Sequence, residues 1–301
     1  MSVREKMEVW VDNEVAKDSL VGKAFVSLRK TGITRKIRYQ MVKSQYGKEK
    51  KNPTPKMNQT RVYFEEHQED INRNTELLKD SKSKDVYQKM ISFRYTHDLK
   101  QFPEYNIDSA YFVDGVVQHE TQGVFIDCGA YTGDSAQAYL KYNKEQYKRI
   151  VCFEPDDANY LKLERNLSGY DNIELVKAGV WSSDTVLSFQ SGGGSASSIQ
   201  KDDELGETTV SINVCAIDNN PYCKDATYIK MDIEGSEYEA LSGARETILR
   251  NRPMLAICIY HSDEDMIRLI QWINNLDLGY VFYVRQHSFD ENDTVLYAIP
   301  E

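Results

Sequence analysis

The 301-residue chain has no C-x-x-C pair, no G-x-G-x-x-G stretch and no apolar run long enough to cross a bilayer. Its five cysteines are an odd number, and Cys128, Cys152 and Cys258 each lie inside an apolar run that reads as a buried strand. That is a poor framework for disulfides or a zinc site, and it is how reduced thiols sit in the core of a cytoplasmic protein. The longest apolar run, Met254 to Tyr260, falls far short of the roughly 20 residues a membrane helix needs. The first residues, MSVREKMEVW, lack the continuous apolar stretch of a signal peptide, so the expected location is the cytoplasm. Positive charge is the scarcer sign: 37 Lys and Arg face 47 Asp and Glu, a net charge of −10, which argues against a nucleic-acid surface as the main task.

The charge that is present is unevenly spread. Residues 1–110 hold 22 Lys and Arg against 16 Asp and Glu, net +6, whereas residues 111–301 hold 15 against 31, net −16. Such a split suggests two units, a helical N-terminal region over 1–110 and a second domain over 111–301. The basic unit would suit an anionic substrate or an acidic partner surface; a merely solvated set of helices is the plainer alternative. It has few glycines and no strand-like alternation. Val15, Leu20, Val21, Phe25 and Leu28 predict one helix, and Val86, Met90, Ile91 and Phe93 another. The segment KEKKNPTP at 48–55 breaks the helical pattern, and residues 101–106 with Pro103 end it.

From Gly123 short runs of Val, Ile and Phe alternate with amphipathic segments, the mark of βα units and a mainly parallel sheet. Strands are predicted at 124–127, 150–153, 173–176, 228–231 and 254–259. A closing antiparallel pair is predicted at 280–284 and 294–299, joined by the polar turn 290–293. Met266, Leu269, Ile270 and Ile273 recur at i, i+3, i+4 and i+7 and predict a helix, with Asp263 or Ser262 as its cap. A hairpin, 186–190 with 208–214, interrupts the scheme. Its tip, SGGGSASS at 191–198, reads either as a lid or as a loose solvent loop.

The residues that carry chemistry stand at the predicted strand ends. VFIDCGAYTGDS, 124–135, is a strand ending in Asp127, a turn with Gly129 and Gly133, and a helix start near Asp134 or Ser135. Glycine there lets a ligand approach the backbone and the free N–H groups of the helix start. The acids on both sides of the turn suit a ligand with a cationic amino-acid end better than a pyrophosphate. A tight βα turn with no ligand is the bland alternative. Glu154, followed by Pro155, ends the second strand where a carboxylate holds a ribose diol in doubly wound folds. Gly179 and Val180, in KAGVW, suit a loop against an adenine ring; Trp181 suits that loop or the core equally. The fourth strand ends in Asp232, with Glu234 and Glu237 beyond it. Helix-dipole preference explains Glu237 but not Asp232, the leading site residue. The helix that follows is expected to turn Tyr238, Leu241, Ala244 and Ile248 inward. His261, directly after the fifth strand, is a candidate general base or substrate contact, with Tyr260 beside it and His287 a weaker pocket candidate.

Together and in this order, FIDCGAYTGDS, FEPD, KAGVWSSD, GGGSASS, YIKMDIEGSEYEALSGA and RPMLAICIYH resemble the FkbM family of methyltransferases, over residues 105–300. The resemblance implies a class I methyltransferase fold: a Rossmann-like α/β domain with a seven-stranded, mainly parallel sheet, helices on both faces and a reversed last hairpin. It implies S-adenosylmethionine as cofactor and O-methylation of a hydroxyl on a sugar, glycan or natural-product acceptor. It assigns Asp127, Gly129 and Gly133 to the methionine end, Glu154 to the ribose, and Gly179 and Val180 to the neighbourhood of the adenine, with Ala130, Asp134, Ser135 and Pro155 as further cofactor-binding residues. Asp232 and Glu234 fall at the boundary of cofactor and acceptor, with Asp232, His261 and Glu234 as the catalytic candidates. No metal is expected, although oxygen ligands at Asp232 and Glu234 would suit magnesium. The expected partner is a small-molecule or glycan acceptor, with no nucleic acid and no integral membrane segment, and a homodimer is compatible with the sequence. The alternative reading is a catalytically inactive module of the same fold that binds a partner in glycan biosynthesis. A dinucleotide-dependent oxidoreductase is disfavoured by the glycine spacing. An assembly scaffold built on the N-terminal helices is the remaining rival. The basic helical region departs from the minimal family pattern and leaves the acceptor unnamed.

Overall fold

The computed structural model describes residues 32–190 and 209–301, with side chains from 39 to 188 and from 211 onward. The helix predicted around Val15 to Leu28 and the 191–198 tip with its lid role lie outside the described residues. Four helices come first: α1 (Gly32–Lys51), α2 (Pro55–Glu66), α3 (Gln68–Leu77) and α4 (Ser81–Thr96). Thr54 caps α2 by accepting from the Met57 N–H, with Pro55 at the first helical position, where a missing N–H costs nothing. That cap is why the charged break predicted at 48–55 separates two helices.

The α/β part then runs β1 (Val124–Cys128), α5 (Asp134–Tyr142), β2 (Arg149–Phe153), α6 (Asp157–Leu167), β3 (Ile173–Val176), β4 (Gly179–Val180), β5 (Thr185–Gln190) and β6 (Thr209–Cys215). It continues with β7 (Tyr228–Met231), α7 (Glu237–Ser242), α8 (Arg245–Asn251), β8 (Met254–Cys258), α9 (Asp265–Asn274), β9 (Tyr280–Gln286) and β10 (Thr294–Pro300). Seven strands form one sheet in the order β3-β2-β1-β7-β8-β10-β9, in which β10 alone runs against its neighbours. The predicted strands are all present, those at 173–176 and 228–231 with the same ends and the others within one or two residues. The interrupting hairpin pairs β5 with β6 antiparallel, and β4 joins it to make a separate three-stranded sheet.

The main sheet is buried on both faces. Val124, Ile126 and Cys128 of β1 point to one core and Phe125 to the other, and β2 and β8 alternate likewise. The first core is closed by α7, α8 and α9 together with the N-terminal helices, since Val86, Tyr87, Met90 and Phe93 of α4 belong to it. The second core is closed by α5 and α6 and by Phe112, whose ring meets those of Phe125 and Tyr228.

Two local expectations differ. The helix predicted after β7 is two helices, because Gly243 lies where a Cβ would stand 2.0 Å from the Trp181 carbonyl oxygen. Leu241, Ala244 and Ile248 are buried as expected, but Tyr238 is only half-buried and carries the Arg268 guanidinium 4.7 Å from its ring centre. At α9, Ser262 is the capping side chain, accepting from the Asp265 N–H at 3.0 Å. Asp263 turns away to Arg94 of α4 and Thr60 of α2, both at 2.6 Å, and so ties the helices to the loop after β8.

The edge strand β9 is covered. The Phe282 carbonyl accepts from the Lys79 N–H, the Val284 N–H donates to Ser83 Oγ, and the Gln286 carbonyl accepts from the Asn106 N–H, at 2.9, 3.1 and 2.9 Å. Phe282, Val284 and Gln286, alternate residues along that edge, thus each give one backbone group to the segment that precedes the sheet.

Candidate active site

At the carboxyl ends of β1, β2 and β7 the chain leaves the sheet in different directions and opens a cavity of about 780 Å³. That volume falls within the range of about 300–1,000 Å³ typical of small-molecule sites, at the sheet position where open α/β folds bind ligands. β1 supplies the floor. Gly129 takes φ +80, and a Cβ on it would collide with the Asp232 carbonyl oxygen at 2.0 Å, so glycine lets the first turn lie against the end of β7. The Gly129 and Ala130 N–H groups both donate to the Phe153 carbonyl, at 3.1 and 2.9 Å, which stitches the turn to β2.

Glu154 hangs from the tip of β2 into the cavity. One carboxyl oxygen accepts from the Tyr131 N–H and the other from the Asp156 N–H, both at 2.9 Å. Burial pushes this carboxyl above its usual range while the two amides pull it down. The cavity wall beyond it is made by Pro155, Gly179, Val180 and Trp181, with Leu187, Ile212 and Val214 from the small sheet.

On the opposite side stands Asp232, just past β7. Its Oδ2 accepts from the Tyr111 hydroxyl at 2.9 Å and its Oδ1 from the Tyr260 hydroxyl at 3.0 Å, with His261 Nε2 3.4 Å from Oδ1. Burial alone would raise its pKa; His261, the Lys230 ammonium and Tyr111 together hold it well below the usual carboxylate range. His261 Nδ1 is 3.0 Å from Glu237, which is fully buried. Burial disfavours the imidazolium, but Glu237 and Asp232 on its two sides raise its pKa well above the ordinary histidine value.

Beneath the turn lies a buried ion pair. Strand register sets Asp127 of β1 beside Lys230 of β7, and Lys230 Nζ stands 3.1 Å from Asp127 Oδ1. The ammonium also donates to the Gly129 carbonyl at 2.8 Å, and Ser135 Oγ donates to Asp127 Oδ2. Burial pulls the lysine pKa down, yet Asp127 and Asp232 keep it above the ordinary value.

The Methyltransferase FkbM domain matches residues 127–282, just over half of the chain. The chain belongs to the FkbM methyltransferase family. This family depends on S-adenosylmethionine. Among solved structures, the FkbM methyltransferase of Methylobacillus flagellatus is 25% identical with a TM-score of 0.67, over 79% of this chain and 60% of that one. The chain thus spans only three-fifths of that relative's length. Two further solved structures match more weakly: a putative methyltransferase of Streptococcus mutans in complex with SAH, and Aeropyrum pernix fibrillarin with natively bound S-adenosyl-L-methionine. They are 11% and 12% identical, with TM-scores of 0.38 and 0.37, cover 62% and 60% of this chain, and are themselves covered to 92% and 67%. No curated protein matches the chain in sequence.

Within this FkbM fold, Gly129, Asp134, Ser135, Glu154, Pro155, Gly179, Val180, Asp232 and Glu234 line the cavity. Ala130 and Gly133 shape the turn from behind it: Ala130 is buried, and a Cβ on Gly133 would press on Leu163 and Leu167. Asp127 is fully buried, paired with Lys230 and Ser135, and is not part of the cavity lining, which holds Asp134 and Asp232 instead. His261 is not among the residues that line the cavity. It lies behind Asp232, with Asp232 near one ring nitrogen and the buried Glu237 near the other, and both carboxylates raise its pKa. Glu237, read from sequence as a helix-dipole residue, is instead the buried counter-charge of His261. His287 does line the cavity, but its Nδ1 is bonded to the Asn106 carbonyl and its Nε2 to the Tyr297 hydroxyl, at 2.7 and 2.8 Å. Trp181 lines the cavity too. Tyr111 and Lys230 were not anticipated. Lys230 did leave a signal, a lone charge inside the apolar run YIKM opposite another lone charge in VFIDC.

Asp232, Glu237 and His261 bring ligand-type atoms within 4.8 Å of one another. Asp232 accepts from two tyrosine hydroxyls, whereas both His261 ring nitrogens and Glu237 Oε2 are buried without a well-formed hydrogen bond.

Proposed function

We propose that this protein transfers a methyl group from S-adenosylmethionine to a hydroxyl oxygen of a sugar, glycan or natural-product acceptor. One observation carries the reading. A carboxylate held by two backbone amides at the tip of β2 shares a single cavity with an ionised carboxylate at the tip of β7. The first suits a ribose diol, since both oxygens keep lone pairs free. The second, with Asp134, suits a cation. Gly129 and Ser135 would take the methionine end, and Gly179, Val180 and Pro155 the adenine. When bound, the cofactor supplies an electrophilic methyl on a sulfonium sulfur, which leaves as a neutral thioether.

The chain's own residues orient and accept. Asp232 is a weak base, but an alcohol oxygen that has gained a methyl is a very strong acid, so Asp232 takes its proton after the carbon–oxygen bond has largely formed. His261 and Glu237 keep Asp232 in place and ionised, and Glu234 stands at the cavity rim. Most of the rate comes from holding the acceptor oxygen in line, as with other pre-organised pairs.

Calorimetric titration with S-adenosylmethionine and with S-adenosylhomocysteine tests this. Micromolar binding of both is expected, with Glu154→Ala weakening each by about tenfold or more, the loss of two hydroxyl bonds to a carboxylate. No binding to the folded wild type would reject the reading.

A further inference from the structure

The cavity extends beyond the residues that serve the cofactor. Its far wall is the segment 107–111, which precedes the sheet, together with the β9–β10 hairpin. Resting on the methyl-transfer reading above, we propose that this wall is the acceptor subsite, that Tyr111 sets its specificity, and that it takes an uncharged hydroxyl-bearing acceptor and rejects anionic ones.

Tyr111 is unusually fixed for a residue in a connecting segment. Its backbone sits at φ +67, a conformation costly for a bulky side chain and kept only where surroundings over-determine it. The surroundings are visible. Its N–H donates to the Tyr297 hydroxyl at 3.1 Å, its carbonyl accepts from the Tyr228 hydroxyl, and its own hydroxyl donates to Asp232. Tyr297 in turn bonds His287, which holds Asn106 at the segment's other end. The ring therefore stands rigidly over the carboxylate that the acceptor oxygen must approach. An acceptor hydroxyl bonding to Asp232 lies against this ring.

Charge decides the class of acceptor. Asp232 and Asp108 both face this end of the cavity. Among the described residues the one lysine or arginine lining the cavity is Lys230, and its ammonium is committed to Asp127 and the Gly129 carbonyl. Burial holds His287 at about 4, so it adds no positive charge. Among the described residues, a phosphate or carboxylate on the acceptor would meet Asp108 and Asp232 in the cavity lining, while the basic groups beside Asp232, Lys230 and His261, are already paired with Asp127, Asp232 and Glu237.

Saturation-transfer NMR on the protein loaded with S-adenosylhomocysteine tests this, with methyl glucoside, glucuronate and glucose 6-phosphate as probes. The wild type is expected to transfer saturation to methyl glucoside and not to the two anions. Tyr111→Ala should weaken methyl glucoside binding about tenfold while leaving the S-adenosylhomocysteine affinity within about twofold. Tyr111→Phe, which keeps the ring and the packing, should fall between the two. Stronger transfer to either anion overturns the uncharged class. Undiminished transfer in Tyr111→Ala overturns the placement of the wall. Failure of the methyl-transfer reading would show separately, as a protein that cannot be loaded with S-adenosylhomocysteine.

Discussion

Asp127 and Lys230 show how far a single pair of side chains shapes this site. Both interrupt otherwise apolar strands, and parallel pairing sets them side by side, where each would be very costly alone. Removing one partner should therefore hurt more than removing both. Lys230→Met is expected to destabilise the fold by about 3–5 kcal/mol, and the double variant Asp127→Leu, Lys230→Met to recover most of that. Urea unfolding of the three proteins checks it; a double variant no better than the single one would show that the pair is not the cause. His287 gives a second prediction at this scale. Its folded pKa of about 4 lies below the ordinary 6.5, so the unfolded chain binds the extra proton between those values. The stability it contributes is fully present above pH 6.5 and is lost as pH falls toward 4, by up to about 3 kcal/mol. His287→Gln should flatten that acid limb in stability measured against pH, and an unchanged limb would assign it to other groups.

Among the elements, the turn after β1 is the one with least tolerance. Gly129→Ala must either move the Asp232 backbone or abandon φ +80, so both cofactor binding and stability should fall, by about 1–3 kcal/mol in the latter. Thermal unfolding and the same titration read the two effects. The turn, like the strands that flank it, was legible in the sequence, because a short continuous apolar run and a glycine at its end are local signals. Glu154 and Asp232, which line the cavity, were legible as candidates for the same reason, each an acid ending an apolar run. The role of His261 was not, since its meaning depends on Glu237 and Asp232 meeting it from other segments. Tyr111 left no local mark at all: its bonds to Tyr297, Tyr228 and Asp232 all span more than a hundred residues. Gly243 was similarly opaque, as the split between α7 and α8 depends on a distant carbonyl at Trp181.

For the whole molecule, the helical region and the sheet share one core, although composition separates them by charge. A chain beginning at residue 105 would lose α4 with Tyr87, Met90 and Phe93, none of which is exposed at all, and leave bare the apolar surface they cover. Such a chain is expected not to fold cooperatively; a sharp thermal transition in it would show instead that the sheet stands alone. The bonds from Lys79, Ser83 and Asn106 along β9 have a further consequence. An open sheet offers its outermost strand as a template on which a neighbouring chain can add one of its own, the usual route to aggregates and swapped dimers. Here three groups of that row, on Phe282, Val284 and Gln286, are already taken by residues that precede the sheet. Strand pairing between molecules is then directed away from these β9 positions, toward edges such as β3 of the main sheet or β5 of the small one, and crowding the protein at high concentration should not, by way of β9, extend the sheet from one molecule to the next.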